Sequence, residues 1–319
     1  MRLRALAVVL ALVAAAPAAL ARGRLVAPIV PGAPAPDPPR LERPPEPEPY
    51  APPPIRPLVS RAGELLQEWT LHKTADGAHP DGLEQTYVWL MNRARQDPAA
   101  EGVFLAELDE PDVQYAIWAF GVDVDLLVQE FAALAPKPPA AFDARLYEAA
   151  RAHSLDLIAR RAQDHDGQFD RVKAAGFVYQ KIRGNVFVHS GSSLYGHAAF
   201  NIDWGGNDGT GMQSGRGHRK AIMSIDGSYT NVGIAVVPDP SSGTPARRWA
   251  VTGNYAYASG VAADHYNRFV VGTVWQDLDA DGLYDPGEGI GGVTVVPSRG
   301  PWFAVTAAGG GYALPVLSP

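Results

Sequence analysis

Near the C-terminus the chain crowds five carboxylates into twelve residues: Asp277-Leu278-Asp279-Ala280-Asp281-Gly282-Leu283-Tyr284-Asp285-Pro286-Gly287-Glu288. The acids occupy loop positions 1, 3, 5, 9 and 12, with glycine at position 6. Carboxylates this close repel one another unless a cation lies between them. A hard cation such as Ca2+ takes six to eight oxygens at about 2.3–2.6 Å. Gly282 permits the sharp turn, Leu283 can offer its backbone carbonyl, and Glu288 can close the sphere with two oxygens. The spacing therefore predicts a Ca2+ site built from Asp277, Asp279, Asp281, Leu283, Asp285 and Glu288, against the plainer reading of a solvated acidic turn. The flanks exclude a helix on either side. Residues 269–275 and 291–296 are rich in β-branched and aromatic residues and read as strands, followed by 302–306 and 312–314.

With these flanks, the run G-T-V-W-Q-D-L-D-A-D-G-L-Y-D-P-G-E-G-I-G-G-V-T-V resembles the calcium-binding B-type repeat domains of bacterial surface adhesins. The resemblance covers about residues 268–319. It implies a small immunoglobulin-like β-sandwich over 263–319. Such domains continue past Y-A-L-P-V-L-S-P, so the module is expected to be truncated or to borrow a strand. Removing the ion is then expected to loosen 268–319 and leave the rest folded.

At the other end, Arg2 and Arg4 precede the apolar stretch 5–16, and Ala19-Leu20-Ala21 is an A-x-A cleavage signature, so 1–21 reads as a signal peptide. The protein is expected to be secreted or held at the cell surface, with no membrane span after signal cleavage. It contains no cysteine, so its stability must come from a core. A net charge of −7 argues against nucleic acid as a partner. Residues 22–58 are proline-dense and read as a semi-rigid polyproline-II linker.

The span 59–262 carries the larger domain. Apolar residues at 83, 87, 90, 91 and 94 have helical spacing, which Asp97-Pro98 ends. A second helix runs over 143–158, with Leu146, Ala150, His153 and Leu157 on one stripe, and further helices are expected at 113–120 and 126–134. Residues 231–237 and 248–255 read as strands, giving an α+β fold class. In order, L-E-Q-T-Y-V-W-L-M-N-R-A-R-Q-D-P, L-Y-E-A-A-R-A-H-S-L-D-L, D-H-D-G-Q-F-D-R-V-K-A-A-G-F, G-N-V-F, A-F-N-I-D-W-G, G-R-G-H-R-K-A-I-M and N-V-G-I-A-V resemble the CAP superfamily (cysteine-rich secretory, antigen 5 and pathogenesis-related proteins, or SCP-like), in its bacterial cysteine-free branch. The match spans roughly 80–257 and implies an α-β-α sandwich.

That family often gathers two histidines and two glutamates in a central groove able to hold zinc. The resemblance maps the histidines to His165 and His218, facing one another across the groove. The glutamate positions fall on Gly184 and Asn207, and Asp203 is a nearby substitute acid. Two imidazoles without both carboxylates hold Zn2+ or another divalent ion weakly, so a groove metal is the lesser expectation. Hydrogen bonds to Asp164, Asp166 or Asp203 would hold the rings equally well. Restoring both acids would complete a four-ligand set. His153 reads as a packed core residue, and His189 and His197 as surface or loop residues.

No catalytic residue is assigned, and the chain is expected to bind rather than catalyse. The expected partner is an extracellular ligand: a lipid, a glycan or a protein. The alternative is an extracellular, peptidase-like hydrolase using His165 or His218 as base. A carboxylate within hydrogen-bond reach of both imidazoles would favour it.

Overall fold

A computed structural model of the chain describes Val59 and residues 65–206, 208–241 and 248–317. The signal-peptide and proline-rich readings, and Asn207, lie outside these residues. The described residues belong to one compact unit that runs through the expected boundary at 262/263.

After strand β1 (Gln67–Glu68), helix α1 (Gly82–Gln96) opens on a capping box. The Asp81 carboxylate accepts from the Glu84 N–H at 3.0 Å, and the Glu84 carboxylate accepts from the Asp81 N–H at 3.1 Å. Tyr87, Leu90, Met91 and Ala94 are buried along α1. Asp97 ends α1 as expected and at once caps α2 (Pro98–Glu107), because proline is well tolerated in a first helical turn. The predicted helices that follow are α3 (Pro111–Phe120) and α4 (Val124–Ala132), capped by Glu110 and Asp123. Next come β2 (Ala141–Phe142), α5 (Ala144–Arg160), α6 (Gln168–Ala174), β3 (Tyr179–Ser190), α7 (Ser193–Ile202), α8 (Gly217–Ile222), β4 (Asn231–Asp239) and β5 (Arg248–Ala258).

The main sheet has the order β2-β4-β5-β3, antiparallel except for the β2–β4 pair, so β3 is an edge strand. Leu146 of α5 and Val172 of α6 pack with Phe177, Ala256 and Ile182 on one face. Helices α1, α7 and α8 cover the other face, with Val232, Ile234, Val251 and Phe187. The fold is therefore α+β, with helices on both sides of the sheet. Side chains alternate along a strand, so Ile182 and Gly184 face α5 and α6 while Asn185 and Phe187 face α7 and α8.

The C-terminal strands are β6 (Phe269–Thr273), β7 (Thr294–Val295), β8 (Trp302–Val305) and β9 (Gly311–Pro315). β6 pairs with β9, and β7 with β8, both antiparallel. β1, from ahead of α1, pairs parallel with the free side of β8, so these strands take in a segment from the far end of the unit. Trp69, Ala304 and Leu314 share a small core there. Further bonds join this region to the larger domain. The His72 ring donates through Nε2 to the Val305 carbonyl at 2.9 Å, Gln85 donates to Thr273 Oγ1 at 2.8 Å, and the Gly309 N–H donates to the Pro80 carbonyl at 3.0 Å. Trp275 meets Trp89 of α1 edge to face at 5.8 Å. Among the described residues no helix is long and apolar enough to cross a membrane.

Candidate functional site

The acidic loop is organised by its own backbone amides. Asp277 accepts from the Ala280 and Gly282 N–H groups at 2.7 and 3.1 Å, and Asp281 accepts from that of Leu283 at 2.7 Å. Glu288, only 5% exposed, reaches back across the loop and accepts from the Leu278 and Asp285 N–H groups at 2.7 and 2.8 Å. Gly282 supplies the left-handed turn with φ 79°, and Ala280 also turns left at φ 64°, a conformation non-glycine residues rarely adopt.

This folding draws the acids together. One ligand oxygen each from Asp277, Asp279 and Glu288 lie within 4.8 Å of one another, as do oxygens from Asp279, Asp281 and Asp285. Asp279 belongs to both groups. The Asp285 carboxyl is pushed above its ordinary pKa, first by burial and then by the charges of Asp281, Asp279, Glu288 and Asp277. An all-oxygen, uncompensated anionic set of this kind fits Ca2+ rather than a softer metal.

The loop is also anchored. Tyr284 is buried and donates its hydroxyl to the Gly309 carbonyl at 2.8 Å. Its exit presses on the first residue of α1: a Cβ added to Gly82 would lie 3.1 Å from both Gly287 N and Pro286 Cα.

The two histidines flank β3. His165 donates from Nδ1 to the Gln168 side-chain oxygen at 2.6 Å. The fully buried Gln168 amide then donates to Asn254 Oδ1 at 2.9 Å and to the Gly253 carbonyl at 3.3 Å. The amide also fills the space over Gly184, where an added Cβ would lie 2.5–2.7 Å from its nitrogen, oxygen and carbon. Gln168 thus occupies the ground where the resemblance places a glutamate, and nothing in the sequence had singled it out.

His218 bonds through Nδ1 to Asp203 at 2.6 Å, and its backbone N–H donates to the other Asp203 oxygen at 3.0 Å. Asp203 is buried and ends α7 at φ 59°. On the α7–α8 face of β3, Asn185 donates to the His218 carbonyl at 3.1 Å. Asp203 therefore serves His218 and an amide serves His165, so a carboxylate holds one imidazole of the two. Among the described residues, the clusters able to hold a metal are the two in the loop and His79–Asp81–Glu84; the histidine pair is in none.

His153 is buried, with Nε2 3.0 Å from the Asp164 carbonyl, and burial lowers its pKa. His189 is exposed on β3. His197 departs from its surface reading. It is fully buried on α7, with Nε2 2.8 Å from Glu101 on α2, because the Gly/Ser-rich run before it is a Ser192-capped helix start rather than a loop. Sequence reasoning also passed over His79, whose Nδ1 lies 2.6 Å from Glu84. That hydrogen bond raises the His79 pKa, while at the more buried Glu84 desolvation outweighs the pairing and raises its pKa too. Both Asp81 and Glu84 are engaged in the α1 cap, and the D-G-L-E spacing was the available signal.

No family model and no curated protein matches the chain. Among solved structures, it is similar to an extracellular protein containing an SCP domain from Bacillus anthracis str. Ames, with 16% identity and a TM-score of 0.29. That alignment covers 45% of this chain and 40% of the other, less than half of either, and at that score it carries no argument about fold or function.

Proposed function

We propose that the chain is a secreted or cell-surface, calcium-loaded binding protein. In this reading a CAP-like domain, with His165 and His218 beside its edge strand, is joined to a B-type-like module. The observation that carries it is the convergence of Asp277, Asp279, Asp281, Asp285 and Glu288 on a loop pinned to α1. Ca2+ would take oxygens from these five side chains and from the Leu283 carbonyl, and would neutralise charges that otherwise repel. Its role is structural. The histidines support binding over catalysis, since an acid orients only His218 and a neutral amide holds His165. Zn2+ at the histidines is not part of this reading.

The test is calorimetric titration of the intact chain with Ca2+. One-site uptake that is abolished in Asp279→Asn and Glu288→Gln is expected; absence of uptake by the wild type overturns the calcium assignment. A second reading, a hydrolase, is favoured by one feature, the 2.6 Å His218–Asp203 bond, which leaves Nε2 as a base. Turnover of peptide, ester or glycan substrates that disappears in His218→Ala would replace binding by hydrolysis.

A further inference from the structure

A cleft of about 490 Å3 opens between α1, the 136–142 segment and the β6–β9 pair. Its volume falls in the range of small-molecule sites, about 300–1,000 Å3. Neither His165 nor any acid of the acidic loop lines it, and the C-terminal strands supply one of its walls. Val88, Trp89, Phe142 and Tyr312 give it a largely apolar, aromatic lining.

The polar groups narrow the choice of occupant. Among the described residues that line the cleft none is acidic, in a chain with 34 acidic and 27 basic residues. The lining cations are Arg93 and Lys137. The Arg93 guanidinium is already engaged: it donates to Glu101 at 2.7 Å and lies 3.9 Å over the Phe104 ring. Lys137 bonds through its backbone N–H to the Arg95 carbonyl, and among the described residues its ammonium has no ion-pair partner. The lining amides hold the walls: Asn92 accepts from and donates to the Ala140 backbone at 2.8 and 3.1 Å, and Gln85 binds Thr273. His72, buried in the wall, donates from Nε2 to the Val305 carbonyl.

We propose that this cleft binds a small amphipathic organic anion, with its apolar body against Trp89, Phe142 and Tyr312 and its charge at Lys137. The proposal goes beyond the calcium and histidine readings and does not depend on either.

The probes are anilinonaphthalene sulfonate, which is anionic, and N-phenyl-naphthylamine, its neutral counterpart, each titrated by fluorescence into the full chain. Saturable one-to-one binding of the anionic probe is expected. Lys137→Gln should weaken it about fivefold or more, the size of one partly desolvated charge contact of about 1 kcal/mol, and leave the neutral probe unchanged. Val271→Trp, on the β6 wall, should weaken both probes by filling the space. Near-ultraviolet circular dichroism checks that each variant keeps its packing, and if Val271→Trp does not, the probe selectivity of Lys137→Gln decides. Non-saturable binding, equal losses for both probes in Lys137→Gln, or no loss in a folded Val271→Trp would overturn the proposal.

Discussion

Gly184→Ala is the smallest change that tests how the histidine region is built. The added methyl would stand 2.5–2.7 Å from the Gln168 amide, inside van der Waals contact. The end of a glutamine can ordinarily swing aside. Here it is fully buried and holds His165, Asn254 and the Gly253 carbonyl. Overpacking a fixed site costs about 1–3 kcal/mol, and a buried polar group left without its partner costs a further ~1–3 kcal/mol. Gly184→Ala should therefore destabilise by about 2–6 kcal/mol, read as a lower urea midpoint at unchanged m-value. In Gln168→Ala the methyl has room, so the double variant should be more stable than the sum of the singles by about 1–2 kcal/mol. A cost for Gly184→Ala below about 0.5 kcal/mol, or strict additivity, would refute this account of the site. The same geometry bears on introducing the glutamate that the resemblance implies at position 184. Gly184→Glu meets the Gln168 amide before it can reach a metal, so zinc affinity should rise only when Gln168 is also shortened.

If Ca2+ fills the acidic loop, its removal should lower the melting temperature of the whole described unit in one transition, because Pro286 and Gly287 press on α1 and β8 holds β1. At a hundredfold excess over Kd the ion would contribute about 2.7 kcal/mol, and two separated transitions in scanning calorimetry would refute the coupling. Stability should also fall with acid. Burial lowers the His72 pKa to about 4, so the ring stays neutral when folded and protonates when unfolded. The unfolded state then binds more protons below about pH 6.5, and the loss between pH 7 and pH 5 is about 2 kcal/mol from this residue. His72→Gln should flatten that slope in urea titrations. Asp203→Ala should abolish the downfield Nδ1 proton resonance of His218, whereas a structural change alone would leave it shifted but present.

The acidic loop was legible because every proposed ligand lies within twelve consecutive residues, so spacing alone nearly determines which oxygens can meet. The long helices were legible for the same reason: a cap and a 3.6-residue stripe are local signals. What escaped was set by pairing between distant segments. β1 is two residues long and carries no alternating pattern, so nothing in Gln67–Glu68 announces a parallel bond to β8. His197 could not be read as buried without knowing that α7 packs beside Glu101 of α2. The histidines make the point most sharply. The sequence named Asp203 as an acid near the histidines, and in the structure it lies 2.6 Å from His218 Nδ1. Which histidine the acid serves follows from its place at the end of α7, beside the start of α8, and the neighbouring positions of β3 divide between the two histidines by strand parity. Gly184 opens towards α6 and His165, and Asn185 points towards α8 and His218, one residue apart on opposite faces of an edge strand. Because β3 has no further strand beyond it, the two sides meet only around that edge. On the α6 side the Gln168 amide fills the space over Gly184 and brings no charge, so a neutral partner holds His165.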